Sequence, residues 1–135
     1  MPVTGSSSSK SREVLEFTGL AADADQLAKN LPHGHQRVLS IAMALAARPR
    51  LLLLDEPVTG MNLSESAQVM SLVKKIRDGG TTILLVEHNM KAVMGTCDRI
   101  IVLNFGRKLA EGTPAAVSTS ADVIEAYLGA GLGHA

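Results

Sequence analysis

The sequence predicts an α/β fold: a mostly parallel sheet with helices on both faces and a β-hairpin near the C-terminus. Three observations carry this. Leu51-Leu52-Leu53-Leu54 runs straight into Asp55-Glu56-Pro57. Four leucines in a row have neither a helical stripe nor an alternation, and a short apolar run closed by a breaker reads as a strand buried on both faces. Thr81 to Val86 repeats the pattern with β-branched and apolar residues, and it too ends in polar chemistry, Glu87-His88-Asn89. Helical stretches separate these runs in the order helix, strand, helix, strand, helix, strand, strand, helix. That alternation argues parallel strands joined by right-handed crossovers.

The elements follow in order. Met1 to Arg12 is rich in serine and ends in basic residues, and reads as a disordered tail outside the fold. Glu13 to Leu20 is a short helix with Val14, Leu15 and Phe17 apolar and Gly19 near its end. Leu31-Pro32-His33-Gly34-His35 breaks the chain, because Pro and Gly two apart do not continue a helix. A helix then runs from about His35 to Ala47, with Val38, Ile41, Ala42, Leu45 and Ala46 as its buried stripe, and Arg48-Pro49 stops it. Beyond the leucine strand lies a loop with Gly60. Asn62 and Glu65 make a capping pair for a helix over Leu63 to Asp78, which buries Val69, Leu72, Val73 and Ile76 and ends at Gly79-Gly80. Asn89 caps a short helix containing Met90, Val93 and Met94. Arg99 to Asn104 and Arg107 to Glu111 form the hairpin across Phe105-Gly106. Thr113-Pro114 starts another helix, and Ser120 caps a last one whose Val123, Ile124, Tyr127 and Leu128 pack inward.

Composition narrows the function. The chain has 135 residues, enough for one domain with a real core, and is 46% hydrophobic and 19% charged, which excludes a disordered chain. Basic and acidic residues balance at 13 each, so there is no electrostatic case for nucleic acid or an acidic membrane surface. Cys97 is the only cysteine, which excludes an internal disulfide and fits a reducing compartment. It reads as a small core residue. The longest apolar run, Val38 to Ala47 with Ser40 inside it, is too short to span a bilayer, and the N-terminus has no apolar signal region. The expectation is a soluble, cytoplasmic chain.

Parallel strands would bring Asp55-Glu56 and Glu87-His88 to one edge of the sheet, where α/β proteins bind ligands. Asp55 suits a hard cation such as Mg2+, and Glu56 suits the orientation and deprotonation of an attacking water. The helix start led by Gly34 offers unpaired N–H groups and positive dipole to a phosphate. His33-x-His35 has no third metal ligand nearby in sequence.

These residues resemble the second half of the ATP-binding subunit of ABC transporters, over Glu13 to about Gly129. Leu51 to Asp55 is similar to the Walker B strand, with Asp55 as Mg2+ carboxylate and Glu56 as catalytic base. Leu31 to His35, followed by Gln36-Arg37, sits at the signature motif; Gly60-Met61-Asn62 sits at the D-loop; His88 sits at the switch histidine, which in the family contacts the γ-phosphate. Leu-Pro-x-Gly, Gly-Met-Asn, Val86-Glu87-His88-Asn89-Met90 and Glu125-Ala126-Tyr127-Leu128-Gly129 resemble branched-chain amino-acid uptake ATPases. The resemblance implies a three-layer, P-loop NTPase-like half-domain over residues 13–135. It assigns nucleotide contact to Leu31, Pro32, His33, Gly34, His35, Gln36 and Asn62, with ATP and Mg2+ as cofactors. It implies as partners a second ATPase subunit, membrane permeases and, indirectly, a solute-binding protein, at the cytoplasmic face of the cell membrane.

Departures from the family are chemical. Pro32 replaces the signature serine, His35 stands for its glutamine, and Asn62 stands for the D-loop aspartate. No Gly-x-x-x-x-Gly-Lys-Ser/Thr occurs, so the phosphate-cradling loop is missing. The expectation is therefore an isolated chain that binds ATP very weakly and does not turn it over. The family's Walker A strand would lie between Thr81–Val86 and Arg99–Asn104. Its absence leaves a gap to be closed by direct pairing, strand exchange or oligomerisation. Two other readings stand beside this one: a non-catalytic dimerisation or permease-docking module, and half of an ABC-type DNA-repair or chromosome-maintenance head. The second needs a long heptad coiled coil, which the sequence lacks.

Overall fold

A computed structural model describes residues 7–128. Contacts divide the chain into two compact units, Met1–Val86 and Glu87–Ala135.

In the first unit, helix α1 (Ser7–Thr18) leads through two short 3-10 turns, Ala21–Asp23 and Ala28–Asn30, to α2 (His33–Ala46). Strand β1 (Leu51–Asp55), helix α3 (Leu63–Asp78) and strand β2 (Thr82–Val86) follow. The two strands pair in parallel from Leu51↔Thr82 to Asp55↔Val86. Helix α1 starts before the expected Glu13, so Ser7 to Arg12 is helical; the calls on 1–6 lie outside the described residues. Thr18 ends it, its hydroxyl donating back to the Val14 carbonyl at 2.8 Å, and Gly19 follows at φ 80°. Helix α3 has the bounds its signals predict. Asn62 and Glu65 form a full capping box, and Gly79 ends the helix.

The core of this unit gathers Val14, Leu20 and Leu31 with Ile41, Leu52, Leu54, Val69, Val73 and Ile76. Strand β1 corrects one expectation. Leu52 and Leu54 are 4% and 8% exposed, yet Leu51 and Leu53 are 53% and 64% exposed. Successive side chains of a strand point to opposite faces, so the run is covered on one face only. Leu84 and Val86 of β2 continue the uncovered face.

The second unit opens with α4 (Met90–Thr96), capped by Asn89, whose Oδ1 accepts from the Ala92 N–H. The antiparallel hairpin of β3 (Ile100–Asn104) and β4 (Arg107–Gly112) comes next. Phe105 and Gly106 take φ 47° and 74°, the left-handed pair that a tight hairpin turn requires. Thr113 caps α5 (Pro114–Ser118), and α6 (Ala121–Val123) runs into a π turn at Ile124–Leu128. Val93, Ile100, Val102, Val117 and Val123 form the core, with Cys97, Met90 and Met94 packed against it. Tyr127, expected to pack inward, is exposed instead, its hydroxyl donating to the Leu103 carbonyl; the side chain of Leu128 lies outside the described residues. Each of the two sheets has two strands among the described residues.

Candidate functional site

In the first unit, β1 and β2 leave the sheet at one edge, because Asp55 and Val86 are register partners. Asp55 falls on the uncovered face with Leu51 and Leu53 and is exposed, within reach of a hydrated cation. Glu56 carries the ladder one residue further, its N–H donating to the Val86 carbonyl at 2.8 Å. It does so at φ 47°. A residue with a β-carbon in that region costs about 1–2 kcal/mol. Such strain collects where the placement of a side chain is tightly determined by its surroundings. Pro57 and Val58 then turn back into the core.

The start of α2 is built differently from the expectation. Pro32 is the N-cap residue, and its carbonyl accepts the Gln36 N–H at 3.0 Å, the first intrahelical bond. The helix therefore begins at His33, and Gly34 lies inside its first turn. Gln36 Nε2 donates to the carbonyl of buried Leu31 at 2.9 Å and ties the loop to its own helix.

Two close approaches bring this turn against the loop after β1. A β-carbon on buried Gly34 would lie 3.7 Å from Glu65 Cδ, and one on Gly60 would lie 3.8 Å from His33 Nε2. Glu65 Oε2 accepts the Asn62 N–H at 3.1 Å, and Asn62 Oδ1 accepts the Glu65 N–H at 2.9 Å. The Asn62 oxygen is thus committed to the α3 cap. On the other side, His35 Nδ1 lies 2.9 Å from Asp23 Oδ2. The positive end of α2 is consequently bordered by two carboxylates. Each opposes a phosphate about 6 Å away by roughly 1–3 kcal/mol at the effective dielectric of a protein surface. The dipole alone contributes less than that.

In the second unit, the Glu87 side chain is 1% exposed. Its Oε1 accepts the N–H groups of His88 and Asn89 at 3.0 and 3.3 Å, and the start of α4 is shaped around it. Its Oε2 is buried without a partner among the described residues. His88 is 68% exposed, its Nδ1 3.7 Å from Glu87 Oε1. Of the expected site residues, Leu31 to Gln36, Asp55, Glu56 and Asn62 lie in the first unit and His88 in the second. Sequence reasoning missed Asp23, twelve residues from its partner with no local pattern to mark it. It placed Glu87 among the polar residues at the strand end but gave it no role of its own; that role is visible only once its burial is known.

The family profile described as ABC transporter matches residues 5–59, and that described as branched-chain amino acid ATP-binding cassette transporter matches residues 107–132. The high-affinity branched-chain amino acid transport ATP-binding protein LivG of Escherichia coli is 47% identical over 116 residues, covering 85% of this chain and 46% of that protein. The protein of the same description named BraF from Pseudomonas aeruginosa is 45% identical over the same shares. The chain thus spans about half the length of the curated relatives it matches. The crystal structure of the ADP conformation of an ATP-binding cassette of an ABC transporter superposes with TM-score 0.84 at 27% identity, covering 95% of this chain and 52% of that one. By its fold and by these matches the chain is similar to the ATP-binding proteins of ABC transporters, those of branched-chain amino-acid transport among them.

Proposed function

We propose that the chain supplies the signature turn, the acidic strand tip and the switch histidine of the ATP-hydrolysing subunit of an importer for branched-chain amino acids. The observation that carries this reading is the parallel register that sets the ends of β1 and β2 at one edge, with Asp55-Glu56 at its tip. The family resemblance adds the roles. With Mg-ATP bound, Asp55 would hold Mg2+, directly or through its water, and Glu56 would take the proton of the attacking water. His88 meets the terminal phosphate, its backbone fixed by buried Glu87. Leu31 to Gln36 and Asn62 close on a nucleotide gripped by a second subunit. Bound Mg-ATP supplies the cleavable phosphoanhydride and the charge-neutralising cation. Permeases and a solute-binding protein are the further partners, at the cytoplasmic face of a membrane. No helix among the described residues is long and apolar enough to cross one.

Alone, the chain is inactive in this reading. The sequence holds no phosphate-cradling Gly-rich loop. The carboxylates beside α2 further weaken its hold on phosphate. Calorimetry with Mg-ATP is expected to show no micromolar binding, and a micromolar Kd overturns the inactivity. Mixing the chain with a polypeptide covering the unmatched half of LivG is expected to restore ATP turnover that Glu56→Gln abolishes. A reconstituted complex that binds permease yet hydrolyses nothing favours the non-catalytic docking module, which the missing loop also suits.

A further inference from the structure

His35 occupies the third position of α2, where the family resemblance has glutamine. A carboxamide offers both a donor and an acceptor; a neutral imidazole offers one at each nitrogen, and its tautomer decides which is where. Asp23 decides it here. Its Oδ2 lies 2.9 Å from His35 Nδ1, and its Oδ1 accepts from Gln26 Nε2 at 3.2 Å. An ionised carboxylate only accepts, so Nδ1 must carry the proton.

The carboxylate is well held for this task. Asp23 sits in the turn Ala21–Asp23, its N–H bonded to the carbonyl of Leu20 at 3.0 Å, and Leu20 is 3% exposed. The Asp23 side chain is 16% exposed against 49% for His35. The acid is the anchored member of the pair and the imidazole the displayed one. With Nδ1 occupied, neutral His35 presents Nε2 with a lone pair, and the Asp23 charge behind the ring disfavours an anion there.

We propose that Asp23 is a positioning residue that locks His35 as the Nδ1–H tautomer, making Nε2 a hydrogen-bond acceptor for an O–H or N–H donor at the start of α2. Its use in nucleotide contact rests on the function proposed above; the lock itself does not. Long-range 1H–15N correlation spectra of the whole chain, without nucleotide and well above the ordinary histidine titration range, test it. The Nδ1–H form of His35 is expected in about tenfold excess, the margin a charge-assisted hydrogen bond provides. Asp23→Ala should remove that excess while leaving the spectra of His33 and His88 unchanged. Asp23→Asn, whose carboxamide oxygen still accepts, should keep the Nδ1–H form and remains informative if the alanine variant fails to fold. A dominant Nε2–H form in the unaltered chain, or a tautomer ratio that Asp23→Ala does not move, overturns the proposal. Because no nucleotide is present, failure of the lock is read here, and failure of the ATPase reading is read in the reconstitution.

Discussion

Glu56 is held in a conformation that glycine adopts freely, and this makes the conflict between its chemistry and its backbone measurable. Replacing it with glycine relieves about 1–2 kcal/mol of left-handed strain. Against that stands about 0.4–1 kcal/mol for the extra freedom glycine gives the unfolded chain. The bond from residue 56 to the Val86 carbonyl is made by the backbone and survives the change. For the backbone alone Glu56→Gly is therefore expected to gain about 0.5–1 kcal/mol, from which any contribution of the half-buried carboxylate is subtracted, while it removes the group proposed above to take a proton from water. Two controls share the geometry. Arg48, exposed at φ 52°, lies in the same unit, and Phe105, 97% exposed at φ 47°, lies in the other. Both side chains are exposed, Phe105 almost wholly, so Arg48→Gly and Phe105→Gly report chiefly the backbone gain. Glu56→Ala keeps the strain and loses the carboxylate, and should not stabilise. Urea denaturation followed by circular dichroism gives each value by linear extrapolation. If both controls gain and Glu56→Gly loses more than about 1 kcal/mol, the carboxylate is a structural group, and the argument that strain is kept for its chemistry is refuted.

Asn62→Ala should cost about 1 kcal/mol by removing one arm of the α3 capping box, with Asn62→Asp restoring most of it; an unchanged urea midpoint for the alanine variant would show the box is ornamental. The Glu111 carboxyl is lowered from 4.5 to about 2, first by its hydrogen bond from Lys108 and then by that from Arg99. A depressed carboxylate contributes stability above its ordinary value and loses it as the pH falls, so this contribution fades between about 4.5 and about 2. In Lys108→Ala, NMR titration should find Glu111 moved back up. On β1, Leu52→Ala should cost about 2–5 kcal/mol and Leu53→Lys less than about 0.5, since only the first is covered. If copies of the chain meet through the uncovered face, Leu53→Lys should also lower the mass seen by light scattering.

What could be read from the sequence was what is decided locally. The bounds of α3 follow from Asn62, Glu65 and Gly79, all within one turn of its ends. The hairpin follows from the Phe105-Gly106 turn between two runs of strand length. The start of α2 was displaced because Gly34 reads as a breaker, and only the bonds of Gln36 to Pro32 and Leu31 show the helix already under way. The Asp23–His35 pair and the burial of Glu87 depend on chain segments meeting at a distance, which no spacing rule records. The leucine strand differs from all of these. Its composition states a requirement, apolar cover for both faces, and Leu52 and Leu54 have theirs while Leu51 and Leu53 do not. A requirement of this kind is written in the strand itself; what meets it is written wherever the covering residues are. The relatives are about twice as long as this chain, so the two need not lie in one stretch of sequence. The same division holds at the site. In the function proposed above, Asp55 and Glu56 are what this strand offers a nucleotide, and the grip on its phosphates comes from residues that this strand does not encode.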